Sequence, residues 1–409
     1  MNKKEKEILI FAGISHFFTH FYVLAFPALI MFFSRDFNLS ISKILSIGFP
    51  MYLSYGLMAI PWGWLSDKYG YRLMMGLGVI FSGFGFVLAS MTNSTLQLTL
   101  AFTLTGIGCS AYHPSGLALI SKGVKQRGRA MGLNGMLGNL GIALAPLSVG
   151  LLSYFTKWKM CLFLFGIIGI IFGALSFFFP IDVHRDLEVQ KGSKVEKNDT
   201  KKIFFIFCAA LIFSGLMYRG FTLILPSFIE VSLPDFAQKV MGLFSGSMSQ
   251  ITGTKTLFAA IVASLIYLAG ILGQYFGGKI ADKKDLKIAY LLFFICLVPF
   301  LTMSGLIKGP FVLVFALGFS FFLFGYQPIE NSFIALITPT RYRSLSYGIK
   351  FTLTFGLGAL AVKILSIIKS KYNINTVVLV LLVPLVIEIL LLSLMIFFTK
   401  GKIFKHKHD

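Results

Sequence analysis

The sequence predicts an all-α membrane protein, with twelve transmembrane helices in two pseudo-symmetric six-helix bundles. Three observations lead there. The 409 residues are 56% hydrophobic and only 13% charged, with a mean hydropathy of +0.82, and soluble domains of this size carry far more charge. Apolar runs of about twenty residues recur along the whole chain, which is the length that crosses a hydrocarbon core. A loop motif also occurs twice, about 215 positions apart: Gly63-Trp64-Leu65-Ser66-Asp67-Lys68 returns as Gly278-Lys279-Ile280-Ala281-Asp282-Lys283. The echo continues, with Tyr112-His113-Pro114 over Tyr326-Gln327-Pro328 and Arg127-Gly128-Arg129 over Arg341-Tyr342-Arg343. Such a repeat in so apolar a chain implies two homologous halves with a site between them.

The spans follow in order at 8–33, 44–65, 73–91, 95–121, 129–155, 160–180, 203–231, 255–281, 286–306, 309–338, 342–368 and 375–399. An N-terminal bundle therefore covers 1–180 and a C-terminal bundle 203–399. A solvated linker, 181–202, separates them, and a basic tail, 400–409, follows. The apolar run after the charged head is too long for a signal peptide and lacks a cleavage site, so it reads as a retained first span. Basic residues cluster in every second loop, which places both termini in the cytoplasm of a multi-pass protein of the cell membrane. Span seven repeats span one, with Tyr218-Arg219-Gly220-Phe221 and Pro226 over Thr19-His20-Phe21-Tyr22 and Pro27. The Gly/Ser/Thr-rich stretch 232–254 has no counterpart in the first half and reads as an outside surface loop without an assigned role.

Composition excludes several classes. The formal charge of +21 is spread over loops, with no soluble basic domain to hold a nucleic acid. The four cysteines, Cys109, Cys161, Cys208 and Cys296, lie singly in apolar runs, so neither a disulfide framework nor a metal framework is expected. No nucleotide-binding motif, metal-ligand spacing or nucleophile/base pair is present, so the sequence predicts neither cofactor nor metal nor enzyme activity.

Gly63, Asp67, Lys68, Gly70 and Arg72 hold the positions of a loop motif, and with the half-repeat the chain resembles the major facilitator superfamily over nearly its whole length. The resemblance implies two bundles rocking about a central cavity. A finer resemblance, to the fosmidomycin-resistance branch of drug-efflux proteins, rests on three passages: His16-Phe17-Phe18-Thr19-His20, Tyr112-His113-Pro114, and Gly138 to Pro146. Here His20 replaces an acid of that branch, and Ser115 follows His113-Pro114 where the branch has a Glu. Gly132, Gly141, Pro146 and Gly150 match an antiporter-like run; close helix packing would use the same residues.

The repeated loop acids are expected to latch the halves in one conformer. Asp67 would accept from amides at a nearby helix N-terminus or pair with Arg127 or Arg129. Asp282, with Arg341 and Arg343, forms the degenerate second copy. Ionisable groups inside spans imply function. His16 and His20 lie one helical turn apart on span one, and His113, Arg219, Glu330 and Lys350 lie on spans four, seven, ten and eleven. With Tyr22 and Gln327 they form the expected substrate and proton cavity. Histidine titrates near pH 6.5 in water, which makes the three histidines candidate proton carriers. Glu330 reads either as a structural partner of Lys350 or as a proton or solute ligand. Lys363 and Glu388, nearer their span ends, read either as snorkelling side chains or as functional groups. Pro114 and Pro328 should kink their spans and free a carbonyl. Together these features describe a monomeric secondary transporter in the bilayer, moving a small, anionic organic solute by alternating access. The resemblance implies proton-coupled efflux. Organic-anion uptake by symport is the first alternative and a membrane sensor the second.

Overall fold

The computed structural model describes residues 1–179, 181, 197–244, 254–339 and 342–399. The tail, Arg341 and most of the linker lie outside them. The first half runs α1 (Lys3–Asp36), α2 (Ile41–Leu57), α3 (Ala59–Tyr69), α4 (Tyr71–Ser90), α5 (Thr95–Cys109), α6 (Tyr112–Gly123), α7 (Arg127–Phe155) and α8 (Trp158–Leu175). The second runs α9 (Lys197–Ser232), α10 (Pro234–Phe244), α11 (Thr254–Lys283), α12 (Leu286–Leu306), α13 (Val312–Ile337), α14 (Arg343–Phe351), α15 (Leu360–Lys371), α16 (Ile374–Val380) and α17 (Leu382–Phe398). A π-helical turn, Thr352–Leu357, joins α14 to α15. Asn2 and Glu5 close a reciprocal capping box that starts α1. Gly70, at φ 101°, provides the left-handed turn between α3 and α4.

Among the described residues eleven helices are long and apolar enough to cross a membrane, against the twelve expected. The difference is the fourth span. Pro114 has no N–H to give the Ser110 carbonyl, so the predicted 95–121 helix splits into α5 and α6. Ser110 (φ −63°, ψ −22°) and Ala111 (φ −67°, ψ −34°) keep helical dihedrals, so a hydrogen-bonding rung is lost without reversing the chain. Pro328 sits inside an unbroken α13. The expected loop 232–254 also differs. Its first part is the helix α10, begun by Pro234 with Asp235 in its first turn; residues 245–253 lie outside the described set. The expected linker ends early, because α9 already starts at Lys197.

The halves meet along two seams that the repeat relates. At one, α7 packs along α11; at the other, α2 and α3 pack against the π turn, α14 and α15. Lipid tails compete with any apolar side chain, so such seams depend on close backbone approach. A Cβ on Gly132 would lie 2.8 Å from the Gln274 carbonyl oxygen, and one on Gly141 2.3 Å from that of Phe17. At Gly150 the obstacle would be the Ala260 methyl, at 2.7 Å. The antiporter-like run is thus the surface on which α7 contacts α1 on one side and α11 on the other, with Pro146 inside the helix.

Candidate functional site

A cavity between the halves is walled by His16, His20 and His113 from the first half and by Gln327, Glu330 and Lys350 from the second. Six of the eight residues expected there are present. Tyr22 is not: two positions after His20, it points to the opposite side of α1. Its hydroxyl donates to the Phe165 carbonyl at 3.0 Å and its ring packs on Phe86. Arg219 is also absent from the wall. Its guanidinium lies over the Tyr52 ring at 4.2 Å and within 5.9 Å of the Tyr218 and Phe355 rings, both of which belong to the wall. The side chain is 1% exposed, and Nε and Nη2 meet no hydrogen-bond partner. A Tyr55 ring stacked on Phe355, 4.7 Å between centroids, forms an aromatic layer between the halves at this level.

The three histidines converge. The His16 and His20 rings lie 4.6 Å apart, tilted by 46°, and each lies 5.2 Å from the His113 ring. One ring nitrogen from each lies within 4.8 Å of the others. Sequence spacing did not reveal this convergence: α6 brings His113 to a pair almost a hundred positions distant in sequence. His16 Nδ1 donates to the Asn134 carbonyl at 2.9 Å, and Tyr112 donates to the Asn134 side chain at 2.6 Å. A Cβ on Gly138 would lie 2.4 Å from the His16 ring, so this glycine makes room for the imidazole. His113 Nε2 pairs with the Tyr55 hydroxyl at 2.8 Å, and its ring stacks on Phe351 of the other half.

The opposite wall is ionic. Lys350 Nζ lies 2.8 Å from Glu330 Oε2 and also donates to Asn331. The Tyr290 hydroxyl bridges two acids, at 2.8 Å from Glu330 and 3.2 Å from Glu388. Glu388 does not snorkel; it is fully buried, with Oε2 unpartnered. Lys363 is exposed. Glu330 thus pairs with Lys350, and Arg219 has no ion pair among the described residues. Gln327 accepts from Gln274 at 2.8 Å, across the α11–α13 contact.

At the end bearing the loop motif both acids bridge the halves, but the amide contact expected of Asp67 is made by Asp282. Asp282 accepts the amides of Gly128 and Arg129, both at 2.8 Å, in the first turn of α7. Asp67 instead meets Ser344 Oγ at 2.7 Å, in the first turn of α14, and Lys122 at 3.6 Å. The Gly63 backbone passes so close to Ser344 that a Cβ would fall 2.9 Å from its carbonyl oxygen. Arg343 reaches the carbonyls of Ser121 and Ala335, and Arg127 Nε that of Ser121. Arg72 donates to the Phe179 carbonyl. At the other end Ser42 meets Ser366 at 2.6 Å and Arg35 meets Glu230 at 3.5 Å. Both ends of the cavity are therefore bridged.

Asn134, Tyr55, Tyr112, Gln274 and Tyr290 belong to this site but were not picked out as members from the sequence. Asn134 and Gln274 had a signal, as amides inside apolar runs. Tyr290 had none, because it reads as one more aromatic of an apolar span.

A model of the Major Facilitator Superfamily matches residues 9–362. The chain is 29% identical over 138 residues, 33% of its length, to a probable L-galactonate transporter of Escherichia coli. It is 30% identical over 114 residues, 27% of its length, to a puromycin resistance protein of Streptomyces alboniger. These matches take in 30% and 23% of the relatives' own lengths. A probable hexose phosphate transport protein of Chlamydia muridarum is 22% identical over 342 residues, covering 78% of this chain and 68% of that one.

Proposed function

The chain belongs to the Major Facilitator Superfamily, and on that premise we propose that this multi-pass transporter carries a small organic anion by alternating access, outward in exchange for protons. One observation carries the anion: Arg219 is buried, rests on aromatic rings and has no acidic partner among the described residues. A buried cation without a counter-charge is costly, and a solute carboxylate, phosphate or phosphonate would supply one. Two relatives are named for anions, L-galactonate and hexose phosphate, and the puromycin-resistance relative supports outward movement. In this reading the Tyr55–Phe355 layer is a thin gate that parts to admit the anion to Arg219.

The proton sits in the second half. Lys350 can neutralise one carboxylate, yet Glu330 and Glu388 are both buried. The Tyr290 hydroxyl has one proton to donate and two acids to satisfy. The cluster becomes neutral by taking up one more proton, which its coupling to solute release would then exchange. The Asp67 and Asp282 contacts hold the motif end shut in this conformer; that end is the cytoplasmic one in our assignment, with both termini on the same side. The halves divide between residue 181 and the start of α9 at Lys197, and a monomer in the cell membrane suffices.

Everted membrane vesicles with an acidified lumen test this reading. Under antiport, an anion added outside enters as protons leave, and the gradient collapses. An uptake symporter, the second reading, leaves the gradient intact under the same addition.

A further inference from the structure

We propose that His16, His20 and His113 form a binding site for a divalent transition-metal ion. Three imidazole nitrogens already lie within 4.8 Å of one another in the buried cavity wall. A tetrahedral ion at 2.0–2.1 Å from nitrogen sets its ligand atoms about 3.4 Å apart, so small ring rotations bring them into coordination.

Two of the three rings, His16 and His113, already carry the anchoring hydrogen bond that metal-bound histidines use. His16 gives its Nδ1–H to the Asn134 carbonyl, which leaves the Nε2 lone pair without a protein partner. His113 uses Nε2 on the Tyr55 hydroxyl and keeps Nδ1 unpartnered. Nδ1 of His20 is likewise unpartnered. Metal-bound histidines typically anchor the second ring nitrogen on an oxygen, which fixes the tautomer and ring direction. Here Tyr112 in turn fixes the Asn134 side chain.

The donor set selects the ion. Three imidazoles without a carboxylate suit zinc, cobalt, nickel or copper and give calcium or magnesium none of the oxygens they require. All three rings line the cavity, so the fourth position faces its interior. The site rests on geometry alone and holds whichever way the transporter runs.

The test uses the full-length, untagged protein with His406→Gln and His408→Gln, so that the tail contributes no imidazole. Cobalt(II) is titrated in and the visible spectrum recorded. The proposal predicts one equivalent bound with the intense bands of a four-coordinate ion, displaced by zinc(II). His20→Gln and His113→Gln each abolish the bands, while their metal-free melting temperatures show that they fold. Tyr55→Phe retains them with affinity reduced about 10-fold, as for loss of an outer hydrogen bond. Tyr55→Phe also serves as the folded variant should a histidine variant fail to fold. Absence of the bands, their persistence in both histidine variants, or an unchanged affinity in Tyr55→Phe would overturn the proposal.

Discussion

The two walls of the cavity occupy corresponding places in the repeat and use different chemistry. On the first-half wall three imidazoles meet without a carboxylate among them; His16 and His113 each stack on an aromatic ring and find a carbonyl or hydroxyl partner. On the second, Lys350, Glu330, Tyr290 and Glu388 satisfy one another through charge. The repeat equates Tyr112-His113-Pro114 with Tyr326-Gln327-Pro328, so the backbone frame is shared and the side chains have diverged. Once two halves close on one cavity, the frame needs to be duplicated but the chemistry does not. In the proposed reading one wall recognises a ligand and the other holds exchangeable charge. Arg219, on the second half but at the repeat position of His20, rests on Tyr52 of the first half and ties the walls together.

The contrast can be broken most sharply at the ion pair. Glu330→Gln alone, or Lys350→Met alone, strands a buried charge and should cost about 3–5 kcal/mol, whereas the double substitution should restore most of that. Thermal unfolding of the three purified variants decides it; equal losses in all three would show that the second wall is not organised by charge. The latches come next. Asp282→Asn weakens two charged hydrogen bonds to backbone amides, each worth about 1.5–3 kcal/mol, and should open the motif end. Asp67→Asn, whose principal partner is one hydroxyl, should open it less. Thiol labelling of a cysteine placed at Met131, with the native cysteines replaced, ranks the two. Gly138→Ala should then cost about 1–3 kcal/mol by crowding His16 while leaving the Glu330–Lys350 pair intact; a loss of the double-variant rescue in that background would couple the two walls. The smallest effect is expected from Tyr52→Leu, which removes the ring under Arg219 and should cost about 0.5–2 kcal/mol, read as a small drop in melting temperature.

Much of this was legible in the sequence because it is one-dimensional. Apolar runs mark spans, and a repeated motif marks halves. The split fourth span was half visible: Pro114 announced a kink, but whether a proline bends or breaks a helix depends on its neighbours, and the equivalent Pro328 leaves α13 whole. The histidine pair showed in the one-turn spacing of His16 and His20, but the third member required tertiary structure. Tyr22 was misplaced by following the repeat motif instead of the helical angle, which turns it away from His20. The amide contact expected of Asp67 fell to Asp282 because motif quality describes the loop, not the helix end that the acid meets. Glu388 was misjudged from its position near a span end; burial depends on packing across α12 and α17, which no local pattern reports.

The central claim is that Arg219 awaits an anion. Its most direct test is a thermal-shift screen of the purified protein against organic anions, cations and neutral solutes, run in parallel on Arg219→Gln and Arg219→Lys. A ligand that binds only the folded state raises its stability by about 2.7 kcal/mol at a hundredfold excess over Kd. The account predicts that carboxylates, phosphates or phosphonates raise the melting temperature of the unsubstituted protein. That shift should vanish in Arg219→Gln and fall in Arg219→Lys, because lysine cannot form two parallel hydrogen bonds to an oxyanion. Stabilisation by cations or neutral solutes alone, or an anion shift that survives Arg219→Gln undiminished, would contradict it.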